Sequence, residues 1–455
     1  MELVIPDITE ERAVQLSEST QPVTQAERIK SLDILRGFSL LGILFMNITA
    51  FALPSWDYMF PLVTVKPVFN GPHATVNTVL WFIRWVTAEG KMRAIFSMLF
   101  GAGVILMTSR AERRGAGVRT ADIFVRRNMW LMFFGVVHCY LIWWGDVLFC
   151  YAVCALLFLF PLRHLKAKQL MYASILVLLL NSYRYEGGRY LEVAETRKAA
   201  ETAQSAEATH RELSEKDRAA ISAWQEAEAS FRPTTGQLYD DIAAMQKGYW
   251  EYVKRSSKDA QEMESTFFYA AIGDVAGMML LGMALYRLGF LSGQLSTKTY
   301  LLSALIGLGI AWSVGFAGAW DMWKSGFDQV EVQRIVMLTF DITRAAGAIG
   351  TAALVLLLSR VRVLGRLMKS LAEVGQMALS NYLLTSVCMQ LLFVWGPLHW
   401  YGYLDYYKLY YVVAAMWAVN LVWSLIWLRY FRFGPVEWLW RSLTYWKLQP
   451  LRHGV

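Results

Sequence analysis

Ionisable side chains inside apolar runs are the first candidates for chemistry, because a bilayer accommodates them only where partners or a task hold them. In GVVHCYLIWWGDVLFCYA, His138 is followed eight residues later by Asp146. On a helix that is about two turns and nearly one face. Imidazole takes and returns a proton near neutral pH, and a carboxylate fixes its tautomer. A satisfied structural histidine and an N-cap aspartate are the plainer readings of the same two residues.

In SLDILRGFSLLGILFMN, Asp33 stands one turn before Arg36 and can pair with it. Asn47 lies 11 residues beyond Arg36, on the same face within roughly 20° and about 16 Å along the axis. An interfacial anchor plus a buried amide explains the stripe as well as a functional line does. Glu89, Lys91 and Arg93 precede IFSMLFGAG; Lys91 or Arg93 suits an anionic head group or a phosphate, and mutual pairing of the three is the equal alternative. Asp341 and Arg344 read as an internal ion pair, and GQMALSNYLLTS sets Asn381, Tyr382 and Ser386 where an inward polar cluster can form. His73, in FNGPHATVN, and His399 are loop histidines, with His73 free to approach a cavity from outside.

Other chemistries have no support. There is no G-x-S-x-G elbow, Walker loop, H-E-x-x-H helix or dinucleotide fingerprint. Cys139, Cys150, Cys154 and Cys388 all lie in apolar runs without disulfide or zinc-ligand spacing, so no metal is expected.

The elements that must position these residues follow from composition. The chain has 455 residues, 56% apolar and only 18% charged, against about a quarter charged in soluble proteins. The apolar residues cluster in runs matching the roughly 30 Å hydrocarbon core of a bilayer. The expected fold is an all-α polytopic membrane protein with about ten transmembrane helices, placed at 32–53, 76–108, 129–145, 147–163, 169–183, 266–287, 300–320, 335–358, 377–395 and 408–430. The second is tilted, or broken at Gly90.

The net charge of +8 resides at the ends of the runs, which argues against nucleic acid as a partner. Arginine and lysine fall on alternate loops, which places both termini in the cytoplasm. The expected layout is a cytoplasmic tail at 1–30, helices one to five across 31–183, a periplasmic helical hairpin insertion at 184–264, helices six to ten across 265–432, and a cytoplasmic tail at 433–455. The insertion carries 12 basic and 16 acidic residues and breaks at Arg232–Pro233. A solvated helical pair is its simplest form, a lid over an outer cavity the alternative, and Tyr249, Trp250 and Tyr252 fit an interfacial anchor. No cleavable signal peptide or lipidation motif is evident.

Six blocks in order, SLDILRGFSLLGILFMNI, GKMRAIFSMLFGAG, HCYLIWWGDVLFCYA, GMMLLGMALYRLGFL, GQMALSNYLL and WLRYFRFGPVEWLWRSLTY, resemble the bacterial YeiB-like family, whose C-terminal half is domain of unknown function 418. That family is distantly similar to the transmembrane acyltransferase superfamily, with Leu32, Asp33, Arg36 and Gly37 as the shared opening signature. Sugar-modifying members have a histidine where this chain has Asn47, and the heparan-acetylating branch has asparagine there with a histidine in the following outer loop, where this chain has His73. The resemblance implies an inner-membrane acyltransferase using acyl-CoA or acetyl-CoA as donor and a periplasmic or envelope sugar, lipid or small molecule as acceptor. His138 or His73 would be the base, with Asp146 fixing the tautomer of His138. Arg36 and Lys91 would neutralise the donor phosphates, with Asp33 and Arg93 in the same binding set, and Asn47, Asn381 or Tyr382 would stabilise the oxyanion. A small-molecule or lipid transporter is the competing reading. Membrane lipids are partners on either, and a homodimer stays open.

Overall fold

A computed structural model describes residues 28–453, apart from the side chains of residues 266–271. The expected tail at 1–30 thus lies, up to residue 27, outside the described residues. Among them every regular element is helical, and an isolated bridge joins Phe431 to Arg452. In chain order these are α1 (Lys30–Ala52), α2 (Ala74–Thr87), α3 (Lys91–Arg113), α4 (Arg119–Leu141) and α5 (Leu148–Leu162). Then α6 (Ala167–Asn181) runs through a wide turn into α7 (Gly188–Ala208), followed by α8 (Glu215–Phe231), α9 (Thr235–Met245) and α10 (Tyr249–Glu262). The chain finishes with α11 (Phe268–Arg287), α12 (Thr297–Lys324), α13 (Gln329–Leu358), α14 (Gly365–Gln376), α15 (Ala378–Gln390), α16 (Tyr406–Tyr430) and α17 (Pro435–Tyr445).

Six helical stretches among the described residues are long and apolar enough to cross a membrane: α1, α2 with α3, α12, α13, α15 with its extension to Trp395, and α16. The outer surface agrees. Helix α12 leaves Leu305, Ile306 and Phe316 exposed, and α16 does the same with Tyr411, Val422 and Ile426. Apolar belts on that scale need lipid around them. The chain is therefore an all-α, multi-pass membrane protein.

Packing explains two glycines. A Cβ on Gly37 would lie 1.9 Å from the Leu371 carbonyl oxygen, and one on Gly375 would lie 1.9 Å from that of Asp33. The glycine ending the Leu-Asp-x-x-Arg-Gly signature thus lets the backbones of α1 and α14 touch, the close approach that small residues permit between membrane helices. The long second span is broken at the expected residue. Gly90 has φ +69°, a left-handed conformation that separates α2 from α3.

The insertion divides into two parts. Helices α7 and α8 form the solvated pair, with Ser214 accepting from the Asp217 N–H at the start of α8. Arg197 ties the pair to Asp328 at 2.8 Å. Helices α9 and α10 instead pack inward: Leu238, Ile242, Met245 and Tyr252 are buried in one cluster with Phe51, Trp143 and Phe393. The break expected at Arg232–Pro233 falls between α8 and α9.

Candidate functional site

His138 sits in the last turn of α4 and is fully buried. The helix ends at Leu141, and the next residues fold back, with the Trp143 N–H bonded to the His138 carbonyl at 2.8 Å. Asp146 therefore does not lie two turns along the same helix. It returns by way of this loop, and its two oxygens do separate work. Oδ1 is 2.9 Å from His138 Nδ1, and Oδ2 accepts the Phe149 N–H at 2.8 Å in the first turn of α5. The tautomer-fixing and helix-starting readings of Asp146 hold together, one on each oxygen.

The opposite imidazole nitrogen faces a residue 248 positions away. Ser386 Oγ, on α15, is 2.9 Å from His138 Nε2 and 3.2 Å from the Tyr382 carbonyl oxygen one turn back. An ionised carboxylate only accepts hydrogen bonds, so Nδ1 carries the proton and Nε2 accepts from the Ser386 hydroxyl. Asp146, His138 and Ser386 are in the relative positions of an acid–base–nucleophile relay. Tyr382 packs its ring 4.9 Å from the imidazole and Trp143 edges it at 6.3 Å. The Tyr382 hydroxyl and the Trp143 indole N–H are buried and donate to no acceptor, though the Val147 N–H approaches the Tyr382 oxygen.

Asn381 points to the other side of α15, where its amide donates to Ser424 Oγ at 2.8 Å and to the Val374 carbonyl at 3.2 Å. It packs helices and does not reach His138 by these bonds.

Asn47 belongs to a second network. The Tyr58 hydroxyl is 3.1 Å from Asn47 Oδ1 and 3.2 Å from Glu89 Oε1, sharing its one proton between them. Glu89 is paired with Arg84 at 3.0 Å, and both are buried. Arg84 also donates to the carbonyls of Met46 and Met59, at 3.2 and 2.9 Å. This arginine is the residue sequence reasoning missed here; the rule that flagged Glu89 applies equally to an arginine inside VLWFIRWV. Lys91 is buried and donates to the backbone carbonyls of Trp85 and Glu89, at 3.2 and 3.3 Å.

Arg93 is in a third network, joined to Asp274 at 2.6 Å. The same carboxylate takes Arg344 at 2.7 Å, and Arg344 meets Asp341 at 2.5 Å as an ion pair without an aligned hydrogen bond. The expected pairing of Glu89, Lys91 and Arg93 with one another is replaced by partners on α2, α11 and the backbone.

Asp33 and Arg36 form the expected pair at 2.9 Å, with Arg28 3.9 Å from the same carboxylate. They stand at the far end of α1, where Arg441 on α17 faces Arg28. Burial and that repulsion push Arg441 down to about 10. Glu437 is engaged elsewhere, accepting the N–H groups of Leu379 and Ser380 at the start of α15, at 2.7 and 3.1 Å. His73 precedes α2 and lies edge-on to Tyr407 at 5.1 Å, apart from the His138 group.

A cavity of about 560 Å³ opens between the insertion and the membrane helices, lined by Trp56, Trp144, Asp241, Arg255, Asp259 and Tyr401 among others. Asp241 is paired with Arg255 and accepts the Tyr401 hydroxyl at 3.0 Å. Burial, with Asp241 beside it, pushes Asp259 up to about 6 against the pull of Arg255. Trp144 lines this cavity while its neighbour Trp143 edges His138; neither His138 nor Ser386 is part of the cavity wall. Among the described residues no cluster of three or more histidine, cysteine or acidic side chains could hold a metal ion.

These features define a multi-pass helical membrane protein with an internal His–Asp–Ser constellation. Residues 285–447 match the family described as protein of unknown function DUF418. The chain is 28% identical over 428 residues to the uncharacterized protein YeiB of Escherichia coli K12, covering 92% of this chain and 96% of that one. It is 29% identical over 436 residues to the uncharacterized protein YxaH of Bacillus subtilis 168, covering 95% and 98%. A third relative, an uncharacterized 39.9 kDa protein from the amylase 3′ region of Bacillus acidopullulyticus, is 26% identical over 93% of this chain. No solved structure matches. The DUF418 match thus covers the C-terminal part of the chain, and nearly the whole chain is similar to YeiB and YxaH.

Proposed function

We propose that this protein is an acyltransferase of the bacterial inner membrane. It takes an acyl group from a cytoplasmic acyl-CoA, acetyl-CoA being the simplest, and passes it to a hydroxyl or amine on a sugar, lipid or small molecule at the outer face. The observation that carries this reading is the buried His138, oriented by Asp146 on one nitrogen and presenting the other to a hydroxyl at 2.9 Å. Acyl transfer needs such a base, and the Tyr382 and Trp143 rings that pack on it carry donors with no acceptor of their own. Arg36, which shares Asp33 with Arg28 and has Arg441 near that same carboxylate, suits the donor phosphates better than Lys91, which is buried and satisfied by carbonyls.

The test is thermal unfolding of the purified protein with a panel of acyl-CoA thioesters and free CoA. A ligand that binds only the folded state raises stability with its concentration over Kd. The expected result is a concentration-dependent rise with at least one thioester that shrinks in Arg36→Ala. Absence of any shift across the panel would count against the reading.

The transporter alternative draws on a different observation, the Arg93–Asp274–Arg344–Asp341 chain across α3, α11 and α13. Charge chains inside bundles often line ion or substrate paths. Substrate flux in proteoliposomes lacking any thioester would favour it.

A further inference from the structure

We propose that Ser386 is the nucleophile of a two-step transfer, and that the acyl group is carried as an ester on its Oγ between donor and acceptor. The inference rests on the acyl-transfer reading and specifies how that transfer runs.

Three observations lead to it. First, the place a base must offer to its substrate is already taken. His138 Nε2 has Ser386 Oγ at 2.9 Å, and both side chains are buried, so the hydroxyl this base meets in the resting protein is the serine's own. Second, Ser386 has a hydrogen-bond partner in either protonation state. With neutral imidazole its proton points to Nε2. With imidazolium, Nε2–H donates to Oγ and the hydroxyl turns to the Tyr382 carbonyl at 3.2 Å. Third, two buried donors without an acceptor, Tyr382 Oη and Trp143 Nε1, belong to the residues whose rings pack on that imidazole. Donors left without an acceptor in a protein interior cost free energy, so the surroundings of this imidazole hold polar capacity that its own hydrogen bonds do not use.

The chemistry balances without a co-reactant. Ser386 Oγ gives its proton to His138 Nε2 as the Oγ–C bond forms, and collapse breaks the C–S bond. His138 returns the proton to the departing thiolate, releasing the CoA thiol. In the second half, an acceptor hydroxyl or amine gives its proton to Nε2 and attacks the same carbon. The C–Oγ bond then breaks and the proton returns to Ser386. The donor can leave before the acceptor arrives, which suits substrates that approach from opposite faces of the membrane.

The experiment uses the full chain in nanodiscs with radiolabelled acyl-CoA thioesters, acetyl to palmitoyl, and no acceptor. The expected result is a burst of free thiol stoichiometric with protein, and label on the peptide containing Ser386. Both should vanish in Ser386→Ala and in His138→Ala. Ser386→Cys should carry label on the same peptide as a thioester, cleaved by neutral hydroxylamine where the serine ester resists it. That change in bond chemistry also guards against misfolding of the alanine variant. Label on another residue, or thiol release that survives in Ser386→Ala, would overturn the inference and leave acyl transfer standing. So would thioester binding by the thermal assay with neither burst nor label. No binding, burst or label with any thioester would remove both.

Discussion

At the scale of single residues, Asp146 joins two tasks on one carboxylate, and a conservative change separates them. An asparagine there keeps an oxygen for the Phe149 N–H, so the start of α5 survives. Its amide then donates to His138 Nδ1, which forces the proton onto Nε2 and leaves no base facing Ser386. Asp146→Asn is expected to lower thioester turnover by about 10²–10⁴-fold with little change in unfolding temperature. The double variant with His138→Ala should be no slower than His138→Ala alone, because members of one relay are not additive. Turnover against thioester concentration, measured on all three variants, checks both statements. His138 and Asp146 were legible in the sequence because they are ionisable residues in an apolar run at short separation. Ser386 stood out only as one polar residue among several, since nothing local links it to a histidine 248 positions away. The face of α15 that turns toward α4 is decided by tertiary packing.

At the scale of elements, the broken span of α2 and α3 gathers charge around its break. Arg84 is fully buried and bonds the carbonyls of Met46 and Met59 as well as Glu89, so it fastens α2 to α1 and to the loop that follows. Removing one member of a buried pair strands the other, at a cost of about 3–5 kcal/mol, whereas replacing both costs far less. Arg84→Ala is therefore expected to lower the unfolding temperature strongly. Arg84→Met with Glu89→Gln should recover a good part of the loss, read by thermal unfolding in detergent. Equal losses in the single and double variants would show that the pair's charge is irrelevant. The break itself was readable, because Gly90 beside three charged residues is a poor continuation of a helix. The partners were not. Lys91 and Arg93 are two residues apart on one helix, yet one ends on carbonyls and the other on Asp274, which is 181 residues from Arg93. Helical spacing says which side chains share a face but not which neighbour arrives there.

At the scale of the whole molecule, the insertion divides its labour. Its first pair of helices follows the Ala/Glu/Lys/Arg pattern of a solvated hairpin, and composition sufficed for that part. Its second pair was harder to read, because α9 and α10 bury only a few apolar residues each. What they reach is the outer end of the candidate site. Tyr249 and Tyr252 of α10 donate to the carbonyls of Leu141 and Ile142, at 2.9 and 3.1 Å, where α4 stops just after His138. The Tyr252 hydroxyl also accepts from Gln390 Nε2 at 3.1 Å, one turn beyond Ser386 on α15. A single buried phenol thus bridges the helix that carries the base and the helix that carries the serine. Tyr252→Phe keeps the ring in its apolar setting and removes both bonds, leaving the Ile142 carbonyl and the Gln390 amide without that partner. Each such loss costs about 1–3 kcal/mol, so a modest fall in unfolding temperature is expected. If the bridge sets the distance between His138 and Ser386, turnover should fall by more than that stability loss explains while thioester binding is unchanged, since Arg28, Arg36 and Arg441 are untouched. A variant that loses stability but turns over normally would reduce α10 to packing. A large fall in turnover with binding preserved would make the insertion part of the machinery that holds the relay closed.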